Sequence, residues 1–170
     1  NAFTNLPYGY PKELEKLGIR CKMFAPVRPF VSTHYNNRDH RKITVIDGHT
    51  AFTGGVNLAD EYANRIVRFG HWKDCGVRLD GQGAWGLTRQ FIHMWERMGG
   101  TLQWEHEYYR PHTMPESAGF CQCIAAGPDN NPANPIEDAF LQMIAMAKHM
   151  VYIPPPYLAI DEPMLRALCI

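Results

Sequence analysis

HRKITVIDGHTAFTGGVN, residues 40 to 57, reads as strand, tight turn, strand, glycine loop and helix start. Ile43-Thr44-Val45-Ile46 is a β-branched run suited to a buried strand. Residues two apart on a strand face the same way, roughly 6 to 7 Å apart, so the His40 imidazole and the Lys42 ammonium are expected to point into one cleft. Asp47-Gly48 is a hairpin-turn signal, and Thr50 to Thr53 return as a second strand. Gly54-Gly55 lets the backbone approach closely whatever lies in front of it. Asn57 is a good helix N-cap, with Asp60 and Glu61 just behind. A ring nitrogen, a cation, a glycine loop and a helix N-terminus converging on one place suggest a phosphate site.

His40-x-Lys42, then Asp47, then Gly54-Gly55-x-Asn57 resembles the HKD motif of the phospholipase D superfamily. The surrounding wording narrows the likeness. Asn37-Arg38-Asp39-His40-Arg41-Lys42, Phe52-Thr53-Gly54-Gly55 and Asn57-Leu58-Ala59-Asp60-Glu61-Tyr62 are similar to bacterial cardiolipin synthases, and the similarity runs from about Leu6 to the C-terminus. The resemblance implies an α/β fold, a phospholipase D-like mixed sheet flanked by helices, here incomplete. Such proteins have two lobes, each with one HKD motif, and a site between them. Residues 1–110 resemble the later part of the first lobe, with the motif at 40–57. Residues 111–118 are expected to be a linker, and 119–170 to resemble the opening part of the second lobe, without its HKD motif. The strand-helix-strand expected over 119–158 would then complete a hybrid lobe by joining the first sheet.

The same resemblance implies a chemistry. His40 attacks phosphorus to give a covalent phosphohistidine, and an alcohol displaces it, which divides one hard displacement into two. Lys42 and Asn57 hold the non-bridging oxygens, and Gly55, where many relatives carry Ser, leaves room for the phosphate. Two carboxylates compete to orient His40. Asp74, in Trp72-Lys73-Asp74, is favoured for the ring, and Asp47 for bracing the turn.

The substrate implied is phosphatidylglycerol, with cardiolipin and glycerol as products. No metal and no cofactor are expected. Membrane attachment is expected from segments ahead of this region in the parent protein, at the bacterial inner membrane, while this chain by itself is expected to be soluble. Two other functions stay open. One is a hydrolase or nuclease of the same superfamily, which can build one site from two single-motif chains as a homodimer. The other is a non-catalytic interaction module, because the leaving alcohol needs a second histidine to protonate it.

Composition sets outer bounds. At 170 residues, with 45% apolar and 20% charged residues, the chain has an ordinary globular make-up. Its formal net charge of zero argues against a nucleic-acid partner held by a broad basic field. No apolar run approaches the roughly 18 to 20 residues that span a bilayer. The opening Asn1-Ala2, without Met, is expected of a trimmed chain. The cysteines at 21, 75, 121, 123 and 169 show no C-x-x-C pair and are expected to be reduced and mostly buried. His34, His49, His71, His93, His106, His112 and His149 lack metal spacing and are expected at the surface or in packing, with His71 notable beside Lys73 and Asp74.

In chain order, the patterns predict a helix over 11–17, a strand over 19–24 and a loop at Pro26-x-x-Pro29. A short helix is expected over 57–62, a loop over 64–70 and a strand over 72–79. The long helix over 81–98 should bury Trp85, Phe91, Ile92, Trp95 and Met98. Strands follow over 120–126 and 151–157, with helices over 136–149 and 162–168.

Overall fold

The computed structural model describes residues 6–24, 39–68, 70–112, 116, 119–127, 134–155 and 157–170. The chain divides into two units, Asn1–Cys123 and Ile124–Ile170.

The first unit opens with α1 (Tyr10–Lys16). Pro11 at its start supplies a φ already suited to a first turn. Gly18, at φ 79°, ends it, and its N–H donates to the Glu15 carbonyl at 3.0 Å. β1 (Ile43–Ile46), β2 (Thr50–Gly54) and β3 (Gly76–Asp80) form one antiparallel sheet in that order. The β1–β2 turn has Asp47 at φ 52° and Gly48 at φ 65°, and the His49 N–H donates to the Ile46 carbonyl at 3.0 Å. Two successive positive φ values match the right-handed twist of the flanking strands. Gly48 also has no room for a side chain: a Cβ there would collide with the Tyr109 carbonyl oxygen.

Val45, Ala51 and Leu79 lie opposite one another across the three strands. This face meets α2 (Gln82–Arg97), and the core is Ala51, Ala84 and Leu87, with Ile43, Val45, Leu79 and Cys123 packed round it. The alternate face carries Ile46 and Phe52, which are 50% and 40% exposed.

Helix α2 buries Ala84, Leu87, Thr88 and Ile92, so Ile92 alone of the expected stripe is fully buried, and Phe91 is half exposed. The rotation has a steric reason: small side chains on both elements let the helix sit close to the sheet. Trp95 instead closes the helix end, its indole N–H donating to the Thr101 carbonyl at 3.1 Å beside Gly100. A 3-10 turn, His106–Tyr109, follows and packs on α2.

Several expectations are corrected. Residues 19–24 form no strand. Residues 57–62 are turns, with Ala59 N–H donating to the Asn57 carbonyl and Tyr62 N–H to the Ala59 carbonyl. The third strand begins at Gly76 rather than Trp72, because Trp72 is held by Asn64 through two hydrogen bonds, at 2.6 and 2.9 Å. No described residue of 120–126 or 151–157 is in a strand, and the described sheet is antiparallel rather than mixed. In each case the alternating pattern marks a face, while a strand also needs a neighbour to pair with. The loop at 26–29 lies outside the described residues, as does His34. None of the cysteines is fully buried, and Cys75, Cys121 and Cys169 are exposed.

In the second unit, α3 (Pro135–Met146) and α4 (Glu162–Cys169) pack on each other without a fully buried residue. The Asp161 side chain caps α4 by accepting from the Met164 N–H at 3.1 Å.

Candidate active site

Register gathers the site. Ile43 pairs with Thr53, and Gly54 with Gly76. The residues just before β1, just after β2 and just before β3 therefore meet at one end of the sheet. These are His40 with Lys42, Gly55, and Asp74. The Asp47-Gly48 turn lies at the other end, about 16 Å along the strand from Lys42 at roughly 3.3 Å per residue.

Alternation separates the two sides of the approach to β1. Arg41 makes a two-nitrogen fork on Asp39, at 2.9 and 2.7 Å, and reaches Gln90 of α2 at 3.4 Å. His40 and Lys42 fall on the opposite side. The Lys42 ammonium donates to the His40 carbonyl at 2.7 Å and lies 3.0 Å from Nδ1 and 3.1 Å from Nε2. Near-equal distances to both ring nitrogens are incompatible with a position on the lone-pair axis of either, so the ammonium rides over the ring. Partial burial pushes the Lys42 amine down, and the charges of Asp39 and Asp74 oppose that.

Asp74 is committed to the glycine loop. Its Oδ1 accepts from the N–H groups of Cys75 at 2.8 Å and Gly55 at 3.2 Å, and its Oδ2 accepts from the Trp72 indole at 3.0 Å. The indole contact above all, then the two backbone donors and the Lys42 charge, holds its carboxyl below the usual value. Neither glycine has open space beside it. A Cβ on Gly55 would stand 2.8 Å from each Asp74 oxygen, and one on Gly54 would stand 2.9 Å from the Cys75 carbonyl.

A brace runs behind the loop. The Asn57 amide donates to the Tyr62 hydroxyl at 2.7 Å. The Tyr62 ring meets Trp72 edge-on at 4.6 Å, and Trp72 holds Asp74. Asn57, Tyr62, Trp72 and Asp74 thus close a circuit around Gly55.

Of the six expected site residues, His40, Lys42, Gly55 and Asp74 share one sheet end. Asn57 joins them only through the brace, and its amide has no hydrogen bond to His40 or Lys42. Asp74 makes no hydrogen bond to His40. Asp47 lines a groove of about 670 Å³ with Arg20, Phe91, Trp95 and Tyr109, and neither His40 nor Lys42 borders it. Sequence reasoning missed Tyr62 and Trp72 as supports. Their only signal was closeness in sequence to Asn57 and Asp74. Among the described residues no three His, Cys, Asp or Glu side chains cluster as a metal site, and no helix is long and apolar enough to cross a membrane.

No family model matches the chain, and no solved structure matches it. Curated proteins do. An uncharacterized protein of Streptococcus mutans is 42% identical over 97% of this chain. The cardiolipin synthase of Geobacillus thermodenitrificans is 38% identical over 96%, and cardiolipin synthase 2 of Bacillus anthracis 36% over 96%. The chain spans 36%, 33% and 32% of those proteins, about a third of their length. Along nearly all of its own length, the chain is homologous to a part of the bacterial cardiolipin synthases.

Proposed function

We propose that this chain carries the first half of a phosphatidyl-transfer site. In the full-length protein, that site joins two phosphatidylglycerol molecules into cardiolipin and releases glycerol. The observation that carries the reading is the Lys42 ammonium set over the His40 ring, at a sheet end where a glycine loop and its carboxylate converge.

His40 attacks the phosphorus of the first phosphatidylglycerol. A nitrogen–phosphorus bond forms and the bond to the glycerol headgroup oxygen breaks. Lys42 neutralises charge on the non-bridging oxygens as it builds up, and Asn57 adds a second donor. Asp74 contributes its charge to Lys42 and fixes the Gly55 backbone. The headgroup hydroxyl of the second phosphatidylglycerol then attacks phosphorus and releases His40. The leaving glycerol needs a proton from another imidazole, supplied by a further part of the full-length protein or by His40 of a second copy. Residues 119–170 would belong to the opening of the second lobe, and attachment to the bacterial inner membrane would come from parts of the longer relatives outside this match. By itself, the chain is inactive unless it dimerises with two His40 side chains facing.

The test is headgroup exchange on phosphatidylglycerol vesicles by the full-length protein. Cardiolipin and glycerol in equal amounts are expected. Phosphatidic acid as the sole lipid product would make it a hydrolase instead.

A further inference from the structure

Cys121 and Cys123 lie outside the site. Both reach the same side of α2: the nearest contacts of a Cβ built on Gly86 are Cys123 Sγ at 2.8 Å and Cys123 Cβ at 2.9 Å, and one built on Gly83 meets Cys121 Cβ at 3.9 Å. Gly83 and Gly86 are three residues apart, neighbours on one helix face. The two cysteines therefore rest on neighbouring positions of one helix face. Their environments differ. Cys121 is exposed, whereas Cys123 is half-buried and packs on the Ala51, Ala84 and Leu87 core. Burial, and then the neighbouring Cys121, pushes the Cys123 thiol up.

We propose that Cys121 and Cys123 are a reversible dithiol–disulfide pair whose oxidation loosens the packing of α2 on the sheet. The oxidant is a small-molecule disulfide. The Cys121 thiolate attacks one of its sulfurs, the S–S bond breaks, and one thiol leaves with the electron pair and takes up a proton. Cys123 then attacks the Cys121 sulfur of the mixed disulfide, releasing the second thiol. The protein loses two electrons and two protons, and the small disulfide gains them. Exposure favours Cys121 as the first attacker. Coupling to the core follows from reach. Residues two apart reach about 6 to 7 Å at Cα when fully extended, against the roughly 4.4 to 6.8 Å range of disulfides, so a bond between them restricts the segment. Closing the bond bends the segment and draws Cys123 off Gly86, and a bond under that bend is readily reduced.

The full chain, reduced and then exposed to oxidised glutathione, tests this by mass mapping and thermal melting. The expected result is an intramolecular bond between Cys121 and Cys123 ahead of any bond to Cys21, Cys75 or Cys169. Reduced glutathione reverses it, and the oxidised protein melts several degrees lower. Cys121→Ser, a change at an exposed position, should leave only glutathione adducts and abolish the shift. Glutathione adducts in place of the internal bond in the unmodified chain overturn the pair, and an internal bond with unchanged melting overturns its coupling to the core.

Discussion

The Lys42 ammonium lies 3.0 Å from Nδ1 and 3.1 Å from Nε2 of His40, and is anchored by the His40 carbonyl at 2.7 Å. Cation and imidazole thus share one station, fixed by two residues of a single strand approach. Because the ammonium sits over the ring, it occupies neither nitrogen's lone-pair axis.

Lys42 is therefore expected to matter to rate more than to folding. Lys42→Ala in the full-length protein should slow transfer by about 100- to 1,000-fold, the scale of removing one oxyanion donor. Melting of this chain should change little, since the hydrogen bonds of the Lys42 ammonium all go to its neighbour His40. Steady-state transfer assays and thermal melts read the two separately.

The Trp72 indole is the chief influence holding down the Asp74 carboxyl. Trp72→Phe keeps the Tyr62 contact but removes the N–H, so the Asp74 titration should move up toward the ordinary value. Carboxyl-carbon NMR titration of Asp74 reads this directly, and an unmoved midpoint would assign the shift to the backbone donors.

Gly48→Ala should destabilise the first unit by about 2 kcal/mol or more. The left-handed backbone alone costs an L-residue about 1 to 2 kcal/mol, and the methyl would meet the Tyr109 carbonyl. Asp47→Asn should be nearly neutral, because Asn tolerates the same φ and the Asp47 side chain makes no hydrogen bond. Urea melts of both variants provide the comparison.

Acid should unfold the chain through its depressed carboxyls. Asp39 is lowered first by its bond to Arg41, Asp74 by the Trp72 indole, and Asp80 by the Thr50 hydroxyl and Arg78. A folded-state value below the unfolded one means that the native chain binds fewer protons. The stabilisation is complete above the unfolded value of about 3.9 and is lost as pH falls through each lowered folded value. Melting temperature against pH should fall below about pH 4, with a shallower fall in Asp39→Asn.

The hairpin, the third strand and α2 were legible in sequence because each carries its own local instruction. Asp47-Gly48 fixes a turn with two positive φ values, and Val45, Ala51 and Leu79 alternate onto one face. The expected strands at 19–24, 120–126 and 151–157 had alternation or β-branched content but no instruction naming a partner. Asn57 likewise resembled an N-cap, yet its amide goes to the Tyr62 hydroxyl and the chain turns instead of coiling. The site was legible where spacing alone suffices, as in His40-x-Lys42. The brace was not, because an edge contact between Tyr62 and Trp72, ten residues apart, leaves no periodic trace.

The most direct test of the account is the capture of the covalent intermediate. Full-length protein is mixed with labelled phosphatidylglycerol, quenched under basic conditions and mapped by mass spectrometry. A phosphatidyl adduct on the His40 imidazole, absent in His40→Gln, is the result expected. Cardiolipin formation by His40→Gln at the unmodified rate, with no adduct on His40 in the parent, would contradict it.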